Sequence, residues 1–302
     1  MATTKHPLAF AIIGTGMVGT AIGALLKKAG HKITSLADPS AAHLKRASAF
    51  LGKIPSFHDP APAAEKASCL LITTPDDIIG RVCASVAHSV NLRGRTVFHM
   101  SGAGGLDLLE PAVRAGASVG CIHPLQSFSS IEGAIKTIPG SYFGVTAGRG
   151  AKTLASSLVR DLGGIPIHIS SRQKPLYHLA ACMASNYLVT LMGLVESVYR
   201  SIGFSQKDAR RSFLPLVYGS LKNLEAQGCT KALTGPIARG DAGTIRKHMQ
   251  ALADNRAELT PVYAQLGHVT IDLAVKKGTL TPDQAKIISG LFLSVLWLAI
   301  SK

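Results

Sequence analysis

The sequence predicts an α/β protein, a doubly wound parallel sheet covered by helices and followed by an all-α C-terminal half. Three observations carry this prediction. Short apolar runs alternate with helical stretches over the first half, a glycine-rich turn joins the first strand to the first helix, and strand signals stop after Ser171. Parallel neighbours need a crossover connection, and right-handed crossovers place helices on both faces of the sheet. The boundary is expected near residue 170, giving domains 1–170 and 171–302.

Strands are expected at Leu8–Gly14, Lys32–Asp38, Ser68–Thr74, Arg95–His99, Ala117–Cys121, Ser141–Thr146 and Ile165–Ile169. Each is a short apolar run bounded by turn residues, as strands buried on both faces should be. Helices are expected at Val18–Ala29, Ala41–Leu51, Asp76–Val90, Leu106–Ala115 and Ala151–Leu162, then at Pro175–Ile202 and Gln206–Gln227. Ser205 has Asp208 three residues on. Thr260-Pro261 and Thr281-Pro282 each pair an N-cap hydroxyl with proline at the first helical position, and Gln284 completes a capping box with Thr281.

Of 302 residues, 47% are hydrophobic and 16% are charged, which excludes a disordered chain and a small disulfide scaffold. The five cysteines, Cys69, Cys83, Cys121, Cys182 and Cys229, are far apart and form no CxxC pair. Neither a disulfide framework nor a zinc knuckle is expected, no metal is assigned, and a reducing cytoplasm fits best. The net charge of +15 suggests an anionic partner, but the basic residues come in ones and twos without interleaved aromatics. Nucleic acid, an acidic membrane surface and a phosphate-bearing small molecule all qualify, nucleic acid is the weaker reading, and a solvated basic surface is favoured. The uncharged stretch Leu8–Leu26 is read as buried strand and helix, because three spaced glycines, Gly14, Gly16 and Gly19, interrupt its centre and only Lys5 precedes it as a basic flank. The apolar run Ile287–Ile300 is too short for about 30 Å of hydrocarbon at about 1.5 Å per residue, so no membrane segment is assigned. Leu291, Leu293, Leu296 and Trp297 within it suit an interface, and a homodimer through the helical domain is expected.

Gly14-Thr15-Gly16-Met17-Val18-Gly19 is a complete GxGxxG between strand and helix. Gly14 permits the tight turn, Gly16 lets backbone amides approach a pyrophosphate, and Gly19 lets the helix pack on the strand with its N-terminus facing the anion. Asp38 ends the second strand, where a carboxylate would accept the adenosine ribose hydroxyls of NAD. Ser40, His43, Lys45 and Arg46 follow at once and would suit the 2′-phosphate of NADP, so the choice between NAD and NADP stays open. Thr73-Thr74-Pro75-Asp76 ends the third long strand at the same carboxyl edge, with a helix N-cap at Asp76 as a compatible structural role.

Two further strand ends carry polar residues: His99-Met100-Ser101-Gly102-Ala103-Gly104-Gly105 and His123-Pro124-Leu125-Gln126-Ser127-Phe128. Ser101 among small residues would let a substrate approach the cofactor, and His123 would serve as acid, base or hydrogen-bond donor, or simply cap its strand. On the helix that follows Lys174, a spacing of about 100° per residue puts His178, Cys182, Ser185 and Asn186 on one face, with Lys174 on the same side. That stripe needs a partner, either a second helix or a substrate. Arg239, in the loop Leu233–Thr244 that ends at an N-cap on Asp241, is suited to clamp a carboxylate.

GTGMVG, HMSGAGG, HPLQSF, YHLAACMASNY and LTGPIARGD together resemble the Rossmann-like proteins whose C-terminal part is the domain of unknown function 2520. These lie in the wider 6-phosphogluconate-dehydrogenase-like superfamily, with pyrroline-5-carboxylate reductase, ketopantoate reductase and deazaflavin-dependent NADP reductases. The resemblance covers nearly the whole chain. It implies a Rossmann domain, a helical C-terminal domain that often dimerises, and NAD(P)-dependent oxidoreductase activity. Well-known dehydrogenases of the superfamily carry a catalytic lysine, with an asparagine one or two turns later on this helix. Asn186 matches the asparagine, but His178 stands two turns before it and Lys174 a turn earlier. Either His178 takes over the proton donor's role, or Lys174 reaches in from outside the helix, or the chemistry of this subgroup differs.

The reading that results is hydride transfer to or from a carbonyl, imine or alcohol carbon of a small anionic metabolite. Gly14, Thr15, Gly16, Met17, Val18, Gly19, Asp38, Ser40, Thr74, Pro75 and Ser101 would bind the cofactor. Ser101, His123, Ser185, Asn186 and Arg239 would bind the substrate, and His178, Lys174, Asn186 and His123 would carry the chemistry. The alternative is a cofactor-binding sensor without catalysis, motivated by the missing superfamily lysine.

Overall fold

The computed structural model describes residues 7–300, with side chains described as far as Leu293. The expected interface positions Leu296 and Trp297 therefore lie outside the described side chains, while Leu291 and Leu293 lie within them. Contacts divide the chain into two compact units, residues 1–186 and 187–302.

The first unit is built from β1 (Ala9–Ile13), α1 (Met17–Lys28), β2 (Lys32–Ala37), α2 (Ala41–Leu51), β3 (Ser56–Phe57), α3 (Pro60–Ala64), β4 (Cys69–Ile72), α4 (Ile79–Ser89) and β5 (Thr96–His99). It continues with α5 (Glu110–Arg114), β6 (Ser118–Pro124), α6 (Ile131–Thr137), β7 (Tyr142–Ala147), α7 (Lys152–Asp161), β8 (Ile165–His168) and α8 (Lys174–Cys182). The eight strands form one sheet in the order β3-β2-β1-β4-β5-β6-β7-β8. Period-two alternation in β1 explains the double winding. Phe10 and Ile12 join a core with Ile22 and Leu26 of α1 and Leu158 of α7, whereas Ala11 and Ile13 join a second core with Ile79 and Cys83 of α4 and Ala112 of α5.

The expectation of a wholly parallel sheet needs one correction, since β7 runs antiparallel to β6, with His123 opposite Gly144. Pairing becomes parallel again between β7 and β8. A polar loop and the seven-residue α6, capped by the Ser130 hydroxyl on Gly133 N, return the chain here.

The second unit is helical: α9 (Leu188–Ser201), α10 (Gln206–Ala232), α11 (Ala242–Asn255), α12 (Thr260–Lys277) and α13 (Pro282–Ile300). Its core gathers Ile245, Ala264, Ile271, Ala274, Ile288 and Phe292. Ser205 caps α10 as expected, and Gln284 completes the capping box with Thr281. Thr260 is instead the first residue of α12, because a 3₁₀ turn over Ala257–Leu259 runs straight into it. By length and composition alone, one helical stretch among the described residues, Ser171–Ser201, would reach across a membrane.

Candidate active site

The glycine loop is held from three sides. Gly14 N donates to Ala37 O at 2.8 Å, Thr73 Oγ1 donates to Gly14 O at 2.6 Å, and Thr20 Oγ1 donates to Thr15 O at 3.0 Å. Gly14 has φ +96°, a left-handed conformation that side chains resist. A Cβ on Gly19 would lie 2.1 Å from Gly14 O and 2.4 Å from Thr73 Oγ1, so helix and loop meet only because that position is bare.

The same loop fits a dinucleotide pyrophosphate. A Cβ on Gly16 would meet nothing within 4 Å, which leaves open space over the loop. Gly16 caps α1 without any side-chain hydrogen bond, and no acid stands in the first turn, so the helix presents its positive end to that space. Thr74 Oγ1 is buried without a protein partner at the neighbouring strand end. A phosphate or ribose oxygen would satisfy it.

Asp38 sits elsewhere in this economy of hydrogen bonds. It is 6% exposed, with Oδ2 accepting from Thr15 N at 2.8 Å and from Thr15 Oγ1 at 3.1 Å, and Oδ1 accepting from Ser40 N at 2.9 Å. His43 Nδ1 lies 3.3 Å away. Burial alone would raise its pKa, but the Ser40 and Thr15 amides outweigh it and hold the carboxyl below its usual value. The carboxylate is thus engaged in tying the glycine loop to α2, where Ser40 Oγ accepts from His43 N; Lys45 and Arg46 remain exposed. Pro75 is exposed and precedes the 3₁₀ turn Asp76–Ile78.

A second cluster lies at the carboxyl ends of β5 and β6. Lys174, in the first turn of α8, is 1% exposed; its Nζ donates to Ser101 O at 2.8 Å and to Cys121 Sγ at 3.1 Å. Among the described residues no carboxylate lies within ion-pair distance of it, so its charge is left to act on the surroundings. His99 donates from Nε2 to Gly105 O at 3.0 Å and accepts Ser101 N on Nδ1 at 3.1 Å, which folds the loop back onto its strand. Burial first, then Lys174, pushes His99 down to about 4. Burial pushes the Cys121 thiol up to about 11.

The Ser101 hydroxyl is engaged by the protein. It donates to Asp76 Oδ2 at 2.5 Å and accepts from Gly104 N at 2.7 Å. Asp76 thus braces the small-residue loop, and no helix N-cap bond comes from its side chain. Above that loop stand two imidazoles. A Cβ on Gly102 would lie 2.1 Å from His178 Cδ2 and 2.9 Å from His123 Nε2, so both rings rest on this one bare position. The rings are 5.8 Å apart at 80°, and Tyr177 OH lies 3.0 Å from His123 Nδ1. Burial, then Lys174, His178 and His99, hold His123 at about 3. Cys182 Sγ lies 3.8 Å from His178 Nδ1.

Of the predicted residues, Ser101, His123, Lys174 and His178 therefore meet in the first unit. A π-helical turn, Met183–Tyr187, follows α8 and adds a residue to the register, so Ser185 and Asn186 depart from the regular helical stripe expected with His178. Arg239 is exposed on a loop of the second unit, before the Asp241 cap whose carboxylate accepts from Thr244 N at 2.9 Å. Sequence reasoning passed over Tyr177, Cys121 and His99 as site residues. A signal existed: Cys121 and His123 share a strand face at i and i+2, and Lys174, Tyr177 and His178 share a helix face at i, i+3 and i+4.

A Rossmann-like domain model matches residues 2–124, and the domain of unknown function DUF2520 matches residues 141–270. No curated protein matches the chain by sequence. Among solved structures, the chain is similar to a candidate NADP oxidoreductase from Bacteroides fragilis, at 18% identity over 88% of this chain and 98% of that one, with a TM-score of 0.73. It is similar to the protein TM1727 from Thermotoga maritima, at 21% identity over 89% and 99%, with a TM-score of 0.69. A pyrroline-5-carboxylate reductase from Coxiella burnetii shares the fold at 15% identity over 90% and 99%, with a TM-score of 0.57. The chain is thus a Rossmann-like protein whose C-terminal part is the domain of unknown function 2520.

Proposed function

We propose that this protein is an NAD(P)-dependent oxidoreductase acting on a carbonyl, imine or alcohol carbon of a small anionic metabolite. The observation that carries the reading is the pair of imidazoles over Gly102 beside a buried, unpaired Lys174, on the same sheet edge as the open glycine loop. The nicotinamide, when bound, supplies or accepts the hydride. The loop Gly14–Gly19 and Thr74 would hold the phosphates and ribose.

His178 is the better proton donor of the two candidates. Its ring is half-buried at the loop surface, whereas the Lys174 amine is directed inward at Ser101 O and Cys121 Sγ. In the reducing direction the substrate carbon gains hydride and its oxygen or nitrogen takes the proton from His178. Lys174 favours the negative charge of the substrate and of the forming alkoxide. Ser101 would act through the shape of its loop, and Ser185 and Asn186 would line the approach.

The test is titration of the protein with NADH and NADPH by nicotinamide fluorescence, followed by a panel of keto acids, imines and aldehydes. His178→Ala should lower turnover by about a hundredfold while sparing cofactor affinity. Binding of neither nucleotide would overturn the proposal.

The helical unit exposes large apolar side chains, among them Val189 at 71% and Leu216 at 69%. Leu191, Leu194, Val198, Val262 and Leu266 line an apolar groove of about 210 Å³. We assign this surface to a second copy of the chain, and sedimentation should give twice the monomer mass. The five thiols, all free, suit the cytoplasm.

A further inference from the structure

We propose that Tyr177 is a positioning residue that fixes His123 as a neutral imidazole with its proton on Nε2, aimed across Gly102 at the acceptor atom of the substrate. The inference rests on the proposed hydride transfer for what it does, but not for how it is detected. In it His123 is a hydrogen-bond donor that polarises the reacting group, and the transferred proton comes from elsewhere.

The geometry begins with the antiparallel pairing of β6 and β7, which sets His123 opposite Gly144. A Cβ on Gly144 would lie 2.8 Å from Tyr177 Cζ and OH, so the bare strand position lets the phenol descend onto the sheet. There its hydroxyl lies 3.0 Å from His123 Nδ1, with the rings edge to face at 86°. Nε2, at the opposite corner of the ring, is the atom that a Cβ on Gly102 would meet at 2.9 Å.

The direction of the hydrogen bond follows from what surrounds it. Burial raises the Tyr177 pKa and keeps the phenol protonated, and the Gly144 backbone amide, which hydrogen-bonds the phenol oxygen, leaves that proton for His123 Nδ1. The charged and titratable groups that act on His123 are Lys174 and His178 from α8 and His99 from β5, and all three disfavour an imidazolium. With Nδ1 accepting from Tyr177, a neutral ring must carry its hydrogen on Nε2. A neutral N–H donor of this kind stabilises charge developing on a carbonyl oxygen without exchanging its own proton.

The experiment is long-range proton–nitrogen correlation spectroscopy of the full chain labelled with nitrogen-15 histidine, with His123→Gln to assign the signals. The expected result is the neutral Nε2–H pattern for His123, unchanged from about pH 5 to about pH 8. Tyr177→Phe should populate the other tautomer and lower kcat at least about tenfold, with nicotinamide affinity unchanged as the check on folding. An Nδ1–H tautomer in the wild-type chain, an imidazolium at neutral pH, or identical His123 spectra in Tyr177→Phe would overturn the proposal. The tautomer is read without turnover, so failure of every substrate in the panel would remove the hydride-transfer reading and leave this one to be decided by the spectra.

Discussion

Acidification from about pH 7 to about pH 5 should destabilise the sheet unit by about 4 kcal/mol through two histidines alone. His99 is wholly buried and His123 is largely so, with pKa values pushed down to about 4 and about 3. In the unfolded chain both titrate near the usual value of about 6.5. Their folded values are depressed, so the stability they contribute is complete above about pH 6.5 and is lost as the pH falls toward the folded values. Near pH 5 the unfolded chain binds a proton at each site and the folded chain does not, which costs about 2 kcal/mol per histidine. Urea unfolding followed by far-ultraviolet circular dichroism would measure the loss directly. For a unit of 186 residues the melting temperature should fall by roughly 8–16 °C, at about 2–4 °C per kcal/mol. His123→Gln should halve the acid sensitivity to about 2 kcal/mol. A wild-type loss below about 1 kcal/mol, or the same loss in the variant, would refute the claim that these rings are held neutral by their surroundings.

Three other outcomes follow from the same geometry. Asp38→Asn removes charge-assisted acceptors from Thr15 N and Ser40 N and should cost about 1.5–3 kcal/mol in urea unfolding, weakening NADH and NADPH to a similar degree; a selective loss of NADH binding with unchanged stability would show a ribose selector and no loop clamp. Lys174→Met keeps the stem and removes the charge, so neutral-pH stability should hold or rise while the acid loss shrinks, because Lys174 ranks second after burial in depressing both histidines; an unchanged pH dependence would count against it. Gly19→Ala places a methyl against the Gly14 carbonyl, which cannot move without opening the loop, and should cost about 1–3 kcal/mol together with nucleotide affinity; unaltered binding would mean that the loop has slack the distances do not show.

Where the fold was legible in the sequence, local pattern and tertiary demand coincided. Every expected strand occurs; the central ones are short apolar runs that the sheet buries on both faces, as in Cys69–Ile72, whereas the edge strand Ile165–His168 is largely exposed. The helix expected to end at Gln227 breaks at Gly228, whose φ of +75° no interior helical residue would adopt. What escaped were elements without a pattern of their own. β3 is two residues long and exists because Leu36 N and Asp38 N find carbonyls there, while α3, Pro60–Ala64, is a single capped turn. The reversal of β7 was hidden because apolar content does not report strand direction.

The site shows the same division at the level of single side chains. Asp38, Asp76 and Ser101 stand just beyond the carboxyl ends of their strands, which the sequence pattern is enough to place. What each does there depends on partners brought from far along the chain: Thr15 lies 23 residues from Asp38, Ser101 lies 25 residues from Asp76, and Lys174 lies 73 residues from Ser101. A polar residue read alone looks available to a ligand, and only the folded chain reveals that its hydrogen bonds are already made. His123 and His178 are the converse. Read singly, each has a bland structural explanation, and it is their shared seat on Gly102, with Tyr177 turned down onto Gly144, that makes them a candidate site. The informative signal lay in the glycines, because a position with no side chain marks where another residue's functional group has been let in.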